Sequence, residues 1–232
     1  KDGSDLIGET NTNLIISNAS LSDSGNYYCV ISNSFGSIVT DTVSLTIEVA
    51  PNVISNPTTT SSCLGDVASF TISAEGTYPL SYQWYNTNGQ VSGGTNNTYT
   101  INSITANDAS NYYCIVTNSC GTDQSNGANL TYKTSPTISS LPSTYSVCET
   151  NPIPLSVSAT SDPSPTYQWY KDGTALSGQT SVKLSISSAA STDQGNYYCK
   201  ASNVCGADST NIASVIVNEE PEVVAQSASS SV

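Results

Sequence analysis

Asn26-Tyr27-Tyr28-Cys29 returns as Asn111-Tyr112-Tyr113-Cys114 and again as Asn196-Tyr197-Tyr198-Cys199, each time 85 residues further on. The same interval carries Trp84 to Trp169, Cys63 to Cys148, Cys120 to Cys205, and Pro51 to Pro136 and then Pro221. A period of 85 residues is too long for a solenoid unit and has the size of a small globular domain. The 232 residues therefore read as a tandem array. Residues 1–50 are the second half of one repeat, 51–135 and 136–220 are complete repeats, and 221–232 is the first strand of a further one. Lys1-Asp2-Gly3 aligns with Lys171-Asp172-Gly173, and Val232 stops one position short of the next Cys63-type cysteine, so the array is expected to continue both ways. A domain this small buries a modest core, so each repeat is expected to be marginal alone and helped by its neighbours.

The pattern within a repeat is all-β. Ala68, Phe70, Ile72 and Ala74 alternate with polar residues, the period-2 signature of a strand with one buried face, and Leu155, Val157 and Ala159 answer in the next repeat. Turn residues Gly76 and Pro79 precede Tyr82-Gln83-Trp84-Tyr85. Tyr99-x-Ile101 alternates like Leu14-x-Ile16 and Leu184-x-Ile186. After the Tyr-Tyr-Cys strand come an Asn-Ser-x-Gly turn at 118–121 and a last strand with Leu130 and Tyr132. About seven short strands with frequent turn signals predict a two-sheet sandwich, and no stretch reads as helix.

Composition narrows the function classes. Eighteen acidic residues against five lysines and no arginine give a net charge of −13, which argues against nucleic acid and anionic membranes as partners. The acidity suits the solubility of a long exposed chain. Divalent-cation binding at the domain joints is the sharper alternative, but the dense Asp/Glu spacing of a calcium loop is missing. No apolar run approaches a membrane span, so direct membrane insertion is not expected. Seven cysteines among Ser-, Thr- and Asn-rich segments suit an oxidising compartment and an extracellular, cell-surface location. The chain has no histidine, hence no Ser-His-Asp or Cys-His constellation and no histidine metal site. Cys114 and Cys120 lack a second ligand pair at zinc spacing, Gly93-Gly94 is an ordinary turn, and the carboxylates do not recur in pairs suited to acid–base work. No catalysis, metal or cofactor is expected.

Asp23-Ser24-Gly25-Asn26-Tyr27-Tyr28-Cys29 and Asp193-Gln194-Gly195-Asn196-Tyr197-Tyr198-Cys199 resemble the Asp-x-Gly-x-Tyr-x-Cys signature of immunoglobulin domains of the I-set kind. The middle repeat keeps Asp108, Tyr112 and Cys114 but has Ser110 where the others have glycine. The resemblance implies tandem immunoglobulin-like β-sandwiches. Tyr27, Tyr112 and Tyr197 would form tyrosine corners, and Trp84 and Trp169 would be the buried core tryptophans. Ile72 and Val157 stand where such domains usually place the second cysteine of the inter-sheet disulfide. Cys29, Cys114 and Cys199 are then expected as buried free thiols packed beside the tryptophan. Arginine is absent as a partner for Asp23, Asp108 and Asp193, which are expected to accept backbone hydrogen bonds.

The topology implied by that resemblance also bears on the remaining cysteines. It puts Cys63 at one end of its domain and Cys120 at the other, roughly 30 Å apart along the strands. A disulfide tolerates only about 7 Å between α-carbons. Pairing of Cys63 with Cys205 across a joint is the leading expectation, with Cys120 and Cys148 reaching into flanking repeats. Pairing within domains, Cys63 with Cys120 and Cys148 with Cys205, stays open if the first strand bends differently. Phe35 holds the equivalent hairpin position in the first repeat, so no such bond forms there.

Together with Tyr-Gln-Trp-Tyr-Lys-Asp-Gly and Asn-Ser-Cys-Gly, these motifs resemble the repetitive domains of large secreted surface proteins of Bacteroidetes-type bacteria. That resemblance implies a stalk or filament segment, a semi-rigid spacer that extends an adhesive tip. Proline-marked joints without a Gly/Ser spacer suit this role. The alternative is a ligand- or glycan-binding adhesion module of receptor type. Partners would be neighbouring repeats of the same chain and other surface proteins or glycans. Asp41-Thr42-Val43 and Asp208-Ser209-Thr210 match an O-glycosylation motif of that bacterial group, at Thr42 and Ser209, and Asn18, Asn96 and Asn129 begin N-glycosylation triplets.

Overall fold

The computed structural model describes residues 1–219 and 221, so the expected strand at 221–232 lies, Pro221 apart, outside the described residues. Strands dominate, and the helical segments among the described residues are three 3-10 turns, Leu21–Asp23, Ala106–Asp108 and Ser191–Asp193. The chain is an all-β protein of immunoglobulin-type sandwiches. It divides into two compact units: residues 1–60, 69–101 and 110–130 form one, and 61–68, 102–109 and 131–232 form the other.

In the first unit, Ser110–Asn118 is flanked by Ser81–Asn86 on one side and by Ala128–Ile138 on the other, with the hairpin strand Gly121–Gln124 continuing its end. The opposing layer pairs Asn52–Ser55 with Ser73–Glu75 and Ala68–Thr71 with Thr98–Ile101. The alternation around Phe70 and Ile72 is interrupted after Thr71, where the strand changes partner, yet both side chains are buried. Between the layers lies an aromatic core. Phe70 stacks on Tyr112 at 4.9 Å between ring centroids, and Tyr99 meets both Tyr112 and Trp84. Such offset contacts add about 1 kcal/mol each beyond the area they bury.

The second unit repeats the plan. Its main sheet runs Thr144–Cys148, Ala213–Asn218, Gly195–Asn203, Thr166–Lys171 and Thr174–Ala175, the first two strands parallel and the rest antiparallel. Ile153, Leu155, Val157 and Leu184 close the core from the facing layer, around Trp169, Tyr197 and Cys199. Ile153 and Ser156 make only isolated bridges to Ile186 and Lys183, so the alternation buries side chains without forming a regular strand.

The first repeat departs from the expected core. Within this chain it has only the short pairs Gly25–Tyr27 with Val43–Leu45 and Val30–Asn33 with Gly36–Val39. Cys29 is exposed, not buried, and Tyr27 is only half-buried. Among the described residues Val30–Asn33 pairs only with Gly36–Val39, and no strand packs over Cys29 as those carrying Phe70, Ile72 and Trp84 pack over Cys114. Leu14 and Ile7 are exposed as well.

Candidate functional site: the joints between repeats

The polar residues that recur at 85-residue intervals converge on the joints. At the first joint, the Asn118 side-chain amide donates to the Val49 carbonyl at 2.7 Å and to the Thr77 carbonyl at 2.9 Å. The Thr77 backbone N–H donates to the Val49 carbonyl, and its hydroxyl accepts from the Val49 N–H. Gly76 fits there because it has φ of +147° and because a β-carbon would stand 3.0 Å from the Ala50 carbonyl oxygen. Side-chain-free residues are favoured where one backbone approaches another this closely. Pro51 is buried against this contact.

The second joint is built alike. The Asn203 side-chain amide donates to Thr134 and Pro163 carbonyls at 2.8 and 2.9 Å, and the Asp162 N–H donates to the Thr134 hydroxyl. Ala128–Ile138 runs through this joint as one strand with an irregularity between Thr134 and Thr137, so the connection is itself hydrogen-bonded structure. Next to each joint an aspartate on the hairpin clasps the incoming strand. Asp123 accepts from the Val53 N–H at 2.7 Å, and Asp208 accepts from the Ile138 N–H at 3.0 Å. Charge-assisted bonds of this kind are the stronger class.

The disulfide sits on the second joint. Cys63 and Cys205 are bonded, with α-carbons 5.5 Å apart. Two consecutive residues of the connecting strand bring them together. The Lys133 carbonyl accepts from Leu64 N–H, beside Cys63, while the Thr134 carbonyl accepts from Asn203, beside Cys205. Pairing within domains is excluded for these two residues: Cys63 does not bond Cys120, and Cys205 does not bond Cys148. Cys120 and Cys148 are exposed free thiols. Cys120 occupies a hairpin of the same geometry as Cys205, its N–H held by the Asn118 side chain, and its thiol faces the Glu48 carboxylate, which also accepts from Ser119.

The core residues are placed as follows. Trp84 and Trp169 are fully buried opposite Cys114 and Cys199, and each indole N–H donates to a carbonyl twelve residues on, Asn96 and Ser181. The Tyr27 and Tyr197 hydroxyls donate to the Asp23 and Asp193 carbonyls at 2.7 and 2.6 Å, and Tyr112 is buried in the aromatic core. Burial pushes the Tyr197 hydroxyl up to about 12, helped by the nearby Asp193 and Asp172. Burial likewise pushes the Cys114 and Cys199 thiols up to about 11, against small opposing backbone hydrogen bonds. The thiols at these two sites are thus poor nucleophiles. The carboxylates of Asp23, Asp108 and Asp193 each accept the backbone N–H three residues back, which caps the 3-10 turn, and for Asp23 that bond holds the carboxyl below its ordinary value. Thr42 and Ser209 are exposed, and the Asp208 carboxylate beside Ser209 is engaged in the joint. Among the described residues no cluster of three or more His, Cys, Asp or Glu side chains could hold a metal ion. No helix among them is long and apolar enough to cross a membrane.

The sequence marks Asn118 only as part of a turn and Asp208 only as part of an O-glycosylation triplet, and it assigns no role to Asn203 or Asp123. Their exact recurrence at the joint hairpins is the signal that could have found them.

Comparison with known proteins places the chain in a class. An immunoglobulin domain profile matches residues 50–118 and 135–203, and an immunoglobulin I-set profile matches residues 6–47. The chain belongs to the immunoglobulin domain family. Over 236 residues it is 26% identical to Roundabout homolog 1 of Mus musculus, covering 92% of this chain and 15% of that protein. It is 31% identical over 185 residues to the "cell adhesion molecule-related/down-regulated by oncogenes" protein of Xenopus laevis, covering 75% of this chain and 14% of that protein. The chain thus spans about one seventh of either relative's length. Among solved structures, the I-band fragment I67–I69 of titin superposes with a TM-score of 0.64 at 24% identity, over 73% of this chain and 66% of that one, a likeness of fold. These relatives are animal proteins, so the resemblance to bacterial surface proteins draws no support from them.

Proposed function

We propose that the chain is a non-enzymatic adhesion segment of a larger extracellular or cell-surface protein, whose repeats at 51–135 and 136–220 present recognition surfaces to other surface proteins. The carrying observation is the relation to immunoglobulin-domain proteins that include a cell-adhesion-molecule relative, matched across 75% of this chain. The chemistry agrees with this reading. The chain is strongly acidic, and the two buried thiols are protonated and poor nucleophiles. The test uses the tetramerised, fluorescently labelled chain on intact cells. Saturable binding that is lost after surface proteolysis supports a protein partner. Loss after deglycosylation alone points to a glycan. Binding that never saturates defeats the proposal.

A second role rests on the joints. The hydrogen-bonded connections and the Cys63–Cys205 bond suit a semi-rigid spacer that holds adjacent repeats in a set register. In that reading Cys120 and Cys148 are the matching halves of equivalent bonds to flanking repeats, because they occupy the Cys205-type and Cys63-type positions.

A further inference from the structure

Each complete repeat carries a pair of tyrosines on the outward face of its main sheet. Tyr170 lies opposite Tyr198 on neighbouring antiparallel strands, and Tyr85 lies opposite Tyr113 in the same way. Side chains alternate along a strand, so these four point away from the core that Trp169, Cys199, Trp84 and Cys114 face. The Tyr170 and Tyr198 rings stack with centroids 4.7 Å apart and planes 1° from parallel. For Tyr85 and Tyr113 the values are 5.4 Å and 12°. Such a pair stabilises a sheet by packing alone. Two stacked tyrosines also hold two oxidisable phenols in contact. All four residues are half-buried, and none of the described residues accepts a hydrogen bond from their hydroxyls. The core tyrosines differ. Tyr197 is fully buried with its hydroxyl bonded to the Asp193 carbonyl, and Tyr112 is buried where it meets Tyr99. Solvent and a dissolved oxidant thus reach the outer pairs and not the inner ones.

We propose that Tyr170–Tyr198 and Tyr85–Tyr113 are oxidative cross-linking sites, where a peroxide-consuming haem peroxidase of the extracellular space joins the two rings as dityrosine. Each phenol gives up one electron and one proton, and the two phenoxyl radicals form a carbon–carbon bond between ring positions next to the oxygens. The hydrogens on those two carbons move to the oxygens, which restores both phenols. The two electrons and two protons removed, with one hydrogen peroxide, give two waters, so the balance closes. Coupling requires two radicals held against each other, and the strand register supplies that placement before any oxidant arrives. The product ties Thr166–Lys171 to Gly195–Asn203 from outside, in a repeat whose core cysteine, Cys199, is unpaired. A carbon–carbon bond also survives reductants that open Cys63–Cys205. The inference rests on the extracellular location proposed above and not on an adhesive role.

For the test, the exposed thiols Cys29, Cys120 and Cys148 are first alkylated on the native full chain, because thiolates reduce phenoxyl radicals. A haem peroxidase and hydrogen peroxide are then added at low chain concentration. The expected result is dityrosine fluorescence in the monomer, a mass lower by two hydrogens for each linked pair, and a peptide map joining Tyr170 to Tyr198 and Tyr85 to Tyr113. Tyr170→Phe keeps a stacked ring but removes one phenol, and should abolish the Tyr170–Tyr198 link alone. Tyr85→Phe/Tyr170→Phe should abolish the monomer fluorescence. The initial rate should fall by about tenfold or more in urea, where the strands no longer hold the rings together. Absence of dityrosine in the monomer, its survival in the double variant, or an equal rate in urea would each overturn the inference. So would covalent dimers formed through Tyr78, which is 79% exposed, while both pairs stay unlinked.

Discussion

Pulling the chain by its ends tests the bonded joint directly. Cys63 and Cys205 are separated by 142 residues, so an intact bond shields that whole loop from tension after the folded parts give way. Breaking the bond by reduction, or removing it with Cys63→Ser, exposes the loop. At roughly 3.5 Å of contour per residue, the 142 residues add about 500 Å to the fully extended chain. Single-molecule force extension with and without reductant measures this length, and Cys63→Ser provides a control insensitive to reductant. Equal contour lengths for oxidised wild type and Cys63→Ser would refute the reasoning. The same loop has a thermodynamic counterpart. In the chain-entropy treatment, closing 142 residues stabilises the folded chain by about 5 kcal/mol at most. Because that term acts on the unfolded state, the gain should appear as a higher urea midpoint for the oxidised chain at equilibrium.

Other outcomes are equally specific. Native chain treated with a thiol reagent at neutral pH should lose Cys29, Cys120 and Cys148 rapidly, while Cys114 and Cys199 react only on unfolding; prompt labelling of all five would contradict their burial. Since the folded Cys114 and Cys199 hold their protons to about 11 against an ordinary value of 9.0, their contribution to stability is complete below pH 9 and declines as pH rises from 9 towards 11. Urea midpoints measured across that range should fall, and should fall less in Cys114→Ala/Cys199→Ala. Trp169→Ala should cost about 3–5 kcal/mol through the cavity it leaves, whereas Tyr197→Phe, which loses one hydroxyl bond to Asp193, should cost about 1 kcal/mol in the same denaturation assay. Asn203→Ala removes two bonds to the joint and should raise proteolytic cutting near Pro136 without shifting the far-ultraviolet circular dichroism; unchanged cutting would make the clasp incidental.

The sandwich was legible because its evidence is local. Trp84, Tyr112 and Cys114 announce themselves by residue type and alternation, and burial follows wherever both layers are present. Cys29 carries the same local signature and is exposed, because burial depends on strands that lie elsewhere in the repeat and not on the residue's own neighbours. The joint was less readable for a different reason. Asn203 and Asp208 lie on the two strands of a hairpin, Gly195–Asn203 and Gly206–Ser209, close to its turn, where asparagine and aspartate are common for local backbone bonds. Their partners, Thr134 and Ile138, are about 70 residues away, and no short-range pattern links such pairs. The cysteines left two pairings open, since spacing alone cannot tell which ends of two sandwiches meet.

The joint and the core solve one problem together. A sandwich without an inter-sheet disulfide must hold its layers by packing, and here the aromatic contacts of Phe70, Tyr99, Tyr112 and Trp84 take that part in the middle repeat. The unpaired core cysteines, Cys114 and Cys199, are then kept from exchanging with the joint. Exchange requires a thiolate with access to the disulfide, and Cys114 and Cys199 have neither the ionisation nor the exposure. The bonded pair instead closes a loop of 142 residues beside the connecting strand Ala128–Ile138, next to the bonds that Asn203 and Asp208 make to Thr134 and Ile138.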